Sequence, residues 1–427
     1  MHPNALLDLA SELLRAVLRL DQPADSVVSA FFRQQRQLGP RERHTLAETT
    51  YFVLRRRPLL MHLAELGGER KPNALGVPLM RRLAILGWQG NDAFLRAALA
   101  PDEQAWLARA QAIKSDNLPA ALRHHLPDWL AEALQAALGR EFWPLAEALD
   151  QTAPMDLRVN LLKMKRDEAS QRLAEAGIVA EPTPYSPWGL RVAGKPALQQ
   201  LALFKEGAIE VQDEGSQLLA LLTDAHRGEM VVDFCAGAGG KTLALGAMMR
   251  NTGRLYAFDT SGHRLAALKP RLARSGLSNV HPAQLAHERD DRVKRLAGKI
   301  QRVLVDAPCS GLGTLRRNPD LKWRQSPKDV AELAQRQLAI LSSAARLPAP
   351  GGRLVYATCS PLRAENEAVV EAFEAAQGRD FERLPAAELL TQARVDQAAT
   401  LVEGDFLRLW PHRHATDGFF AAAWRRR

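Results

Sequence analysis

Two of the three cysteines in this 427-residue chain stand in motifs that could carry covalent chemistry. Cys309 lies in the sequence D-A-P-C-S-G (residues 306–311), and Cys359 lies in Y-A-T-C-S-P (residues 356–361). Each motif follows an apolar, β-prone run, which predicts each cysteine at the carboxyl end of a strand, the edge where open α/β sheets bind ligands. The third cysteine, Cys235, also follows such a run. Free cysteine is often only a buried packing residue, but three thiols at strand ends favour a functional site.

Two thiols at one sheet edge suit the methylation of carbon 5 of a cytosine. Carbon 5 is a poor nucleophile, and a thiolate that adds to carbon 6 makes it enamine-like, which is covalent catalysis. After methyl transfer the thiolate must be expelled, and a second acid/base group in the pocket helps that release. Asp306, three residues before Cys309, is predicted to hold the amino group and the N3 edge of the base. The alternative role for Asp306 is a structural cap at the end of a strand.

A glycine-dense turn follows the predicted strand that ends at Asp233, and a turn of this kind lets backbone amides approach a ligand closely. Asp259, at the end of the next strand, is placed to bind ribose hydroxyls. Neither the phosphate-binding loop nor the G-x-G-x-x-G fingerprint matches the turn. S-adenosylmethionine has a ribose and an adenine but no phosphate, so it is the predicted cofactor, and no metal site is predicted. The turn comprises Cys235, Ala236, Gly237, Ala238, Gly239, Gly240 and Lys241.

The composition favours a polyanionic partner in a reducing compartment. The formal charge is +9 at a pI near 9.7, and much of the excess is clustered arginine, the side chain best suited to forked phosphate contacts. Arg316 and Arg317, which follow Cys309, are expected to hold a nucleic-acid backbone. Three cysteines cannot form a disulfide framework. With no signal segment and no membrane-length apolar run, the chain is expected to be a soluble, cytoplasmic monomer without membrane contact.

Three regions differ in their sequence patterns. Residues 1–145 carry helical stripes, such as Leu6, Leu9, Leu13 and Val17. Residues 146–222 read as a small α+β subdomain, and in 223–427 strands alternate with helices, which predicts a mostly parallel sheet of the Rossmann-like type. The strands predicted there are Met230–Asp233, Leu255–Asp259, Arg302–Val305, Arg353–Thr358, Phe406–Leu409 and Gly418–Trp424.

These motifs resemble those of the RsmB-like, or Sun, family of RNA 5-methylcytosine methyltransferases. The likeness includes D-A-P-C-S-G, the stretch R-R-N-P-D-L-K-W at 316–323, and Y-A-T-C-S with E-N-E at 365–367. It also includes R-V-N at 158–160, V-Q-D-E at 211–214 and the tail at 411–420. The likeness spans about 150–427, and residues 1–145 resemble more loosely a NusB-like RNA-binding domain.

The resemblance implies a fold and roles for particular residues. The fold is an α/β Rossmann-like S-adenosylmethionine-dependent methyltransferase domain, preceded by a small α+β linker subdomain and an all-helical N-terminal domain. Cys359 would be the nucleophile and Cys309 the cysteine that assists release. The turn at 235–241, Asp259 and Asp306 would line the cofactor pocket.

Two positions depart from the family pattern. Gly237-Ala238 replaces the usual Ala-Pro in the glycine turn. The family also places an Asp after the third strand for the adenine amino group, where this chain has L-A-H-E-R-D-D at 285–291. His287 is most nearly in register and is the expected replacement, and Glu288 or Asp290 are alternatives after a small shift.

The sequence therefore predicts an RNA (cytosine-5)-methyltransferase with 16S ribosomal RNA as its expected substrate. A paralogue that acts on another ribosomal or transfer RNA cytosine is the first alternative. A non-catalytic RNA-binding factor in ribosome assembly, built on the same fold, is the second.

Overall fold

The computed structural model describes residues 1–66, 77–114 and 117–427, and the chain forms two compact units. The helical unit comprises residues 1–152 and 315–326, and the sheet unit comprises 153–314 and 327–427. The chain thus leaves the sheet unit soon after Cys309 and returns to it at Pro327. Within the described residues, no helix combines the length and the apolar character needed to cross a membrane.

The helices in chain order are α1 Pro3–Val17, α2 Ala24–Gln34, α3 Pro40–Arg55, α4 Arg57–Glu65, α5 Val77–Leu86, α6 Asp92–Ala98, α7 Pro101–Gln111, α8 Ala120–Arg123, α9 Asp128–Leu138, α10 Phe142–Leu149, α11 Arg166–Glu175, α12 Ala202–Lys205, α13 Glu214–Thr223, α14 Gly240–Met248, α15 Gly262–Ser275, α16 Asp291–Arg295, α17 Leu321–Arg324, α18 Pro327–Ala344, α19 Glu367–Gln377, α20 Ala386–Gln392 and α21 Pro411–His414.

The strands in chain order are β1 Met155–Val159, β2 Ala180–Pro182, β3 Gly189–Val192, β4 Ile209–Val211, β5 Met230–Asp233, β6 Arg254–Asp259, β7 Val280–Gln284, β8 Ile300–Asp306, β9 Pro348–Thr358, β10 Phe381–Leu384, β11 Val402–Glu403, β12 Phe406–Leu409 and β13 Phe419–Arg426.

The helical unit is built from α1 to α10 and α17. Helix α1 shows why these segments are helical: Leu6, Leu13 and Val17 recur at the spacing that brings them onto one face, and all three are buried. Helices α3 and α4 follow one another directly, and the break between them lies at Arg56.

The sheet unit contains a small four-stranded sheet in the order β2-β3-β1-β4, with every neighbouring pair antiparallel. One face of this sheet is covered by α11, and Leu157, Leu173 and Ile209 lie in the core between them. Central strand β1 carries Arg158, and β4 leads directly into the V-Q-D-E stretch at 211–214.

The main sheet has nine strands in the order β11-β12-β13-β9-β8-β5-β6-β7, and β10 also pairs with β13. Each of the six strands predicted from the sequence is present. The five strands from β9 to β7 are parallel, whereas β10 to β13 pair antiparallel. The sheet is therefore more mixed than predicted, because the link from β12 to β13 is too short for the crossover that parallel strands require.

Helices cover both faces of the main sheet, as in a Rossmann-like fold. One face packs against α13, α14, α15 and α20, and the other against α16, α18 and α19. Alternating residues of one strand point to opposite faces, as Val231 and Val232 do in β5. The predicted fold class is confirmed. Strand β6 lies on one side of β5 and β8 lies on the other, so the order in which strands are added to the sheet reverses at β5. Such switch points hold ligands at the carboxyl edge of the sheet.

Candidate active site

All three cysteines lie at the carboxyl edge of three neighbouring strands. Cys235 follows β5, Cys309 follows β8 and Cys359 follows β9, and these strands are adjacent in the sheet. The spacing of the cysteines along the chain is large, so only the parallel pairing of the strands brings their ends together.

Cys309 and Cys359 face each other with their sulfur atoms 3.3 Å apart. The Cys359 backbone amide also donates to Cys309 Sγ, at 3.3 Å. The hydrogen bond with Cys359 raises the pKa of the Cys309 thiol well above its usual value, and burial and nearby negative charge, including that of Glu365, act in the same direction. Cys309 is therefore held as a neutral thiol that can donate to the sulfur of Cys359.

Cys235 is a poor candidate for a nucleophile. Burial raises the pKa of its thiol well above the usual value, and the carboxylates of Asp233, Asp306 and Asp259 add to the effect. A thiol that stays protonated does not attack carbon centres. Its side chain packs against the core of the sheet, as expected of a residue that shapes a pocket wall.

A glycine fixes the backbone beside Cys359. Gly313 donates its amide proton to the carbonyl oxygen of Cys359 at 2.8 Å, and its own carbonyl accepts from the amide of Gly418, also at 2.8 Å. A Cβ at Gly313 would overlap the Gly418 carbonyl oxygen. Gly313, in the stretch after Cys309, is thus hydrogen-bonded both to Cys359 and to Gly418 of the C-terminal tail.

Asp306 forms an ion pair with Lys241 from the glycine turn, with Nζ 2.7 Å from Oδ2. Burial alone would lower the pKa of Lys241, but the charge and hydrogen bond of Asp306 outweigh it, and the pKa of the lysine is raised. The ammonium also lies over the ring of Phe419, 5.8 Å from its centroid. The pair joins the end of β8 to the start of α14, and no sequence signal had linked these two residues.

The glycine turn has the shape of a cradle. Gly237 and Gly239 adopt φ angles of +54° and +84°, which favour glycine, and α14 begins at Gly240 without a side-chain cap. Asp259, from the end of β6, accepts hydrogen bonds from the amides of Gly237 at 2.8 Å and Ser261 at 2.7 Å. The structure therefore brings Asp259 against the turn.

Asp233, which had been read only as a strand end, belongs to the same edge. It is 1% exposed, its Oδ2 accepts from the hydroxyl of Thr242 at 2.7 Å, and its Oδ1 has no hydrogen-bond partner in the described part of the chain. Burial raises the pKa of Asp233 to about 7, despite the hydrogen bond from Thr242. An unpaired buried acceptor beside a glycine cradle fits a cofactor that brings its own donors, as the amino and ribose groups of S-adenosylmethionine do.

Residues of the R-V-N and V-Q-D-E stretches lie against the glycine turn. Arg158 is 3% exposed and donates through Nη1 to Gln212 Oε1 at 2.5 Å and to the Gly240 carbonyl at 2.6 Å. Asn160 binds the carbonyls of Gly207 and Ser275, both at 3.0 Å. These residues therefore hold the small sheet against the start of α14.

The segment after β7 places the three candidates for adenine contact differently. His287 is exposed, and its Nδ1 accepts from the amide of Arg289 at 3.1 Å. Asp290 turns back and accepts from the amide of Ala286 at 3.0 Å, while it also caps α16. Glu288 is half-buried, and its carbonyl accepts from Ser343.

The prediction for Arg316 is wrong. Arg316 is 5% exposed inside the helical unit, where its carbonyl accepts from Arg55 Nη2 at 2.9 Å, so it is not a surface contact for a nucleic-acid backbone. Arg55 is also buried, at 8% exposure. Part of the clustered positive charge thus serves the packing of the helical unit, which a charge count cannot reveal.

Comparisons with known proteins show which family the chain is similar to. The family model described as 16S rRNA methyltransferase RsmB/F matches residues 220–425, and the ferredoxin-like domain of RsmF/B-like methyltransferases matches 126–199. The chain is 33% identical to a probable ribosomal RNA small subunit methyltransferase B from Synechocystis, over 97% of this chain and 98% of that protein. It is 32% identical to the Bacillus subtilis protein of the same description, over 80% and 76% of the two chains.

A solved structure, that of PH0851, matches with a TM-score of 0.79 and 26% identity over 99% of each chain. The sequence likeness extends through both units, and the fold is the one that the resemblance implied. The chain belongs to the RsmB/F family of S-adenosylmethionine-dependent methyltransferases.

Proposed function

We propose that this protein methylates carbon 5 of a cytosine in RNA, with 16S ribosomal RNA as the substrate. The observation that carries the proposal is the pair of thiols 3.3 Å apart beside a cofactor cradle. One thiol is enough for a nucleophile, and the second is useful where a covalent adduct must be released. This pairing also favours catalysis over the alternative of a non-catalytic assembly factor.

In this proposal Cys359 is the nucleophile. Its thiolate forms a bond from sulfur to carbon 6 of the cytosine, and the displaced electron pair makes carbon 5 nucleophilic. The hydrogen bond from Gly313 to the Cys359 carbonyl holds the backbone of the nucleophile in place during the attack.

Cys309 assists the departure of Cys359. Once carbon 5 has its methyl group, a water molecule takes the carbon 5 proton. The electrons of that carbon–hydrogen bond restore the double bond between carbons 5 and 6, and the electrons of the bond from sulfur to carbon 6 return to sulfur. Because Cys309 is held as a thiol next to that sulfur, it can donate a hydrogen bond to the thiolate as it forms. A stabilised thiolate is a better leaving group.

Asp306 orients the base. One carboxylate oxygen is bound by Lys241, which fixes the orientation of the group. The other oxygen can accept from the cytosine amino group, and an anionic carboxylate at that edge favours protonation at N3.

S-adenosylmethionine, when bound, supplies an electrophilic methyl group on its sulfonium. Asp259 is the proposed ribose ligand, and the turn from Cys235 to Lys241 gives the backbone surface against which the cofactor lies. His287 is the proposed contact for adenine, with Glu288 and Asp290 as alternatives. None of these contacts requires a phosphate group.

The substrate assignment has a direct test. The purified protein is incubated with S-adenosylmethionine tritiated in its methyl group and with naked 16S ribosomal RNA, 23S ribosomal RNA or transfer RNA, and the labelled nucleoside is identified. We expect 5-methylcytidine in 16S ribosomal RNA, and bisulfite sequencing of RNA from a deletion strain should show one cytosine losing its protection. Label in another nucleoside would refute the cytosine chemistry, and label only in 23S or transfer RNA would identify a paralogue.

A further inference from the structure

The serines that follow the two cysteines meet at one buried carboxylate. Glu365 is 0% exposed. Its Oε1 accepts from the backbone amide of Ser310 at 2.7 Å, and its Oε2 accepts from the hydroxyls of Ser310, at 2.6 Å, and Ser360. Since Ser310 follows Cys309 and Ser360 follows Cys359, a single side chain binds both cysteine loops.

Glu365 is itself held by surrounding groups. Gln337 donates to its Oε1 at 3.0 Å and to the carbonyl of Pro308 at 2.9 Å. The hydroxyl of Tyr356 donates to the Glu365 backbone carbonyl at 2.5 Å. Gln337 belongs to α18 and Tyr356 to β9. The position of Glu365 is therefore fixed by residues of regular secondary structure.

The carboxylate also brings negative charge to the thiols. In the described part of the chain the donors that reach the Glu365 carboxylate come from Ser310, Ser360 and Gln337, and all of them are neutral. A nearby negative charge disfavours a thiolate, and Glu365 contributes to the raised pKa of Cys309. The same group can therefore influence both the geometry and the protonation of the pair.

We propose that Glu365 is a positioning residue of the methyltransferase: by binding the serine after each cysteine, it sets the distance between the two sulfur atoms. Its charge adds to the hydrogen bond with Cys359 and to burial, which are the larger causes of the raised pKa of the Cys309 thiol. The inference rests on the proposed function for its meaning in catalysis, but its effect on the thiols does not depend on RNA or cofactor.

The test uses the full chain with Glu365→Gln, which keeps the size of the side chain and removes its charge. The initial rate of iodoacetamide alkylation is followed against pH for each cysteine by mass spectrometry. Trypsin separates the three cysteines, because they fall in peptides 228–241, 303–316 and 354–363. Methylation of 16S ribosomal RNA is measured in parallel as kcat and KM.

We expect alkylation of Cys309 in Glu365→Gln to begin at lower pH than in the wild type. The kcat for methylation should fall about tenfold with KM for RNA unchanged, because small misplacements of reacting groups are costly while substrate contacts remain. Glu365→Asp keeps the carboxylate but shortens the side chain that binds the two serines. It should therefore lower kcat, while the pH dependence of Cys309 alkylation stays closer to that of the wild type. Glu371→Gln is the matched control, since it removes an exposed carboxylate that forms an ion pair with Arg363, and it should change neither readout.

A wild-type Cys309 profile together with a wild-type kcat in Glu365→Gln would overturn the inference while leaving the proposed function intact. An inactive wild-type protein whose Cys309 profile still responds to Glu365→Gln would instead refute the proposed function alone. Circular dichroism reports whether the variant folds. If it does not, Ser360→Ala decides, because it removes one donor and keeps the carboxylate: a several-fold loss of kcat at constant KM supports the inference, and an unchanged kcat refutes it.

Discussion

Cys309 and Cys359 differ in their surroundings, although both follow a strand of the same sheet. The pKa of Cys309 is raised, whereas the backbone of Cys359 is held by hydrogen bonds, so the surroundings distinguish the two thiols. Reactivity of a cysteine depends on the fraction present as thiolate. The asymmetry therefore supports the assignment of Cys359 as nucleophile and Cys309 as the group that assists release.

Replacing Cys359 with Ala should abolish methylation, because no other group at this edge can make the bond to carbon 6. The loss of one half-buried thiol should leave folding and RNA binding largely unchanged. Filter binding and a methyl-transfer assay, run on the same preparation, measure both. A rate above one per cent of the wild-type rate would contradict the assignment. That limit is a loss of roughly two orders of magnitude, or about 2.7 kcal/mol in the activation barrier.

Replacing Cys309 with Ala should allow attack and methyl transfer but slow release. A covalent complex between protein and RNA should then accumulate and run as a slower band on denaturing gels. The double variant Cys309→Ala/Cys359→Ala is the control and should show no such band. If the adduct forms with Cys359→Ala and not with Cys309→Ala, the two roles are reversed.

Asp259→Ala should weaken S-adenosylmethionine binding more than His287→Ala does, because Asp259 also holds the amide of Gly237 in the turn. A lost hydrogen bond costs about 0.5–1.5 kcal/mol, so His287→Ala should reduce affinity by a few-fold to about tenfold. Calorimetric titration with the cofactor measures both. If His287→Ala is silent, Glu288→Ala and Asp290→Ala identify the adenine contact, and no effect from any of the four would contradict the proposed pocket.

At the scale of elements, short connections hold the site together more than the strands do. The turn at 312–314 binds Cys359 on one side and the tail at Gly418 on the other. This arrangement works only where two backbones approach closely, which explains the glycines at 313 and 418. The sequence shows these glycines, but not that they touch each other.

Gly313→Ala should damage the site, because the added Cβ would lie 2.8 Å from the Cys359 carbonyl oxygen and overlap the Gly418 carbonyl. Overpacking of this kind costs about 1–3 kcal/mol, and the shift should displace Cys359 and lower kcat. Thermal unfolding and methyl transfer are the measurements. Gly404→Ala is the control, since it carries a φ of +61° with open space around its Cβ, so it should lose some stability but keep its activity.

At the scale of the whole molecule, one segment belongs to the helical unit although the segments before and after it in the chain belong to the sheet unit. Residues 315–326 follow the Cys309 loop, yet they pack within the helical unit. There Lys322 donates to the Arg55 carbonyl at 2.7 Å, and the indole of Trp323 donates to the Leu54 carbonyl at 2.7 Å. The helical unit is therefore completed by a segment from the motif region, in addition to its expected role in RNA binding.

Lys322 gives this packing a pH dependence. Burial lowers the pKa of its ammonium to about 7, although Asp150 acts in the opposite direction. Between pH 7 and the ordinary lysine value near 10.4, the unfolded chain binds a proton that the folded chain does not, so the free energy of unfolding rises with pH across this window. Lys322→Met should flatten that rise, as measured by urea unfolding at pH 7 and pH 9.5. Lys328→Met, at an exposed lysine, should not, and an unchanged slope in Lys322→Met would contradict the lowered pKa.

Much of the sheet unit could be predicted from sequence because its signals are local. A buried parallel strand is an apolar run, and a polar residue or a cysteine at its end marks the edge of the sheet, so β5, β6, β8 and β9 could be located together with Asp259, Asp306 and the cysteines. The pairing of β10 to β13 could not, since it depends on connection lengths and partners far away in the chain. Domain limits and residue roles stay predictions.

The sequence alone determined which chemistry is possible: two thiols, a glycine turn and strand-end carboxylates in an α/β pattern. Tertiary structure decided which of these groups meet. The sulfur contact, the pair of Lys241 with Asp306, the bridge through Glu365 and the burial of Arg316 all join residues that are distant along the chain. Residue type and local periodicity report what a side chain can do and which face it occupies, whereas distance, burial and charge arise only when packing brings separate segments together.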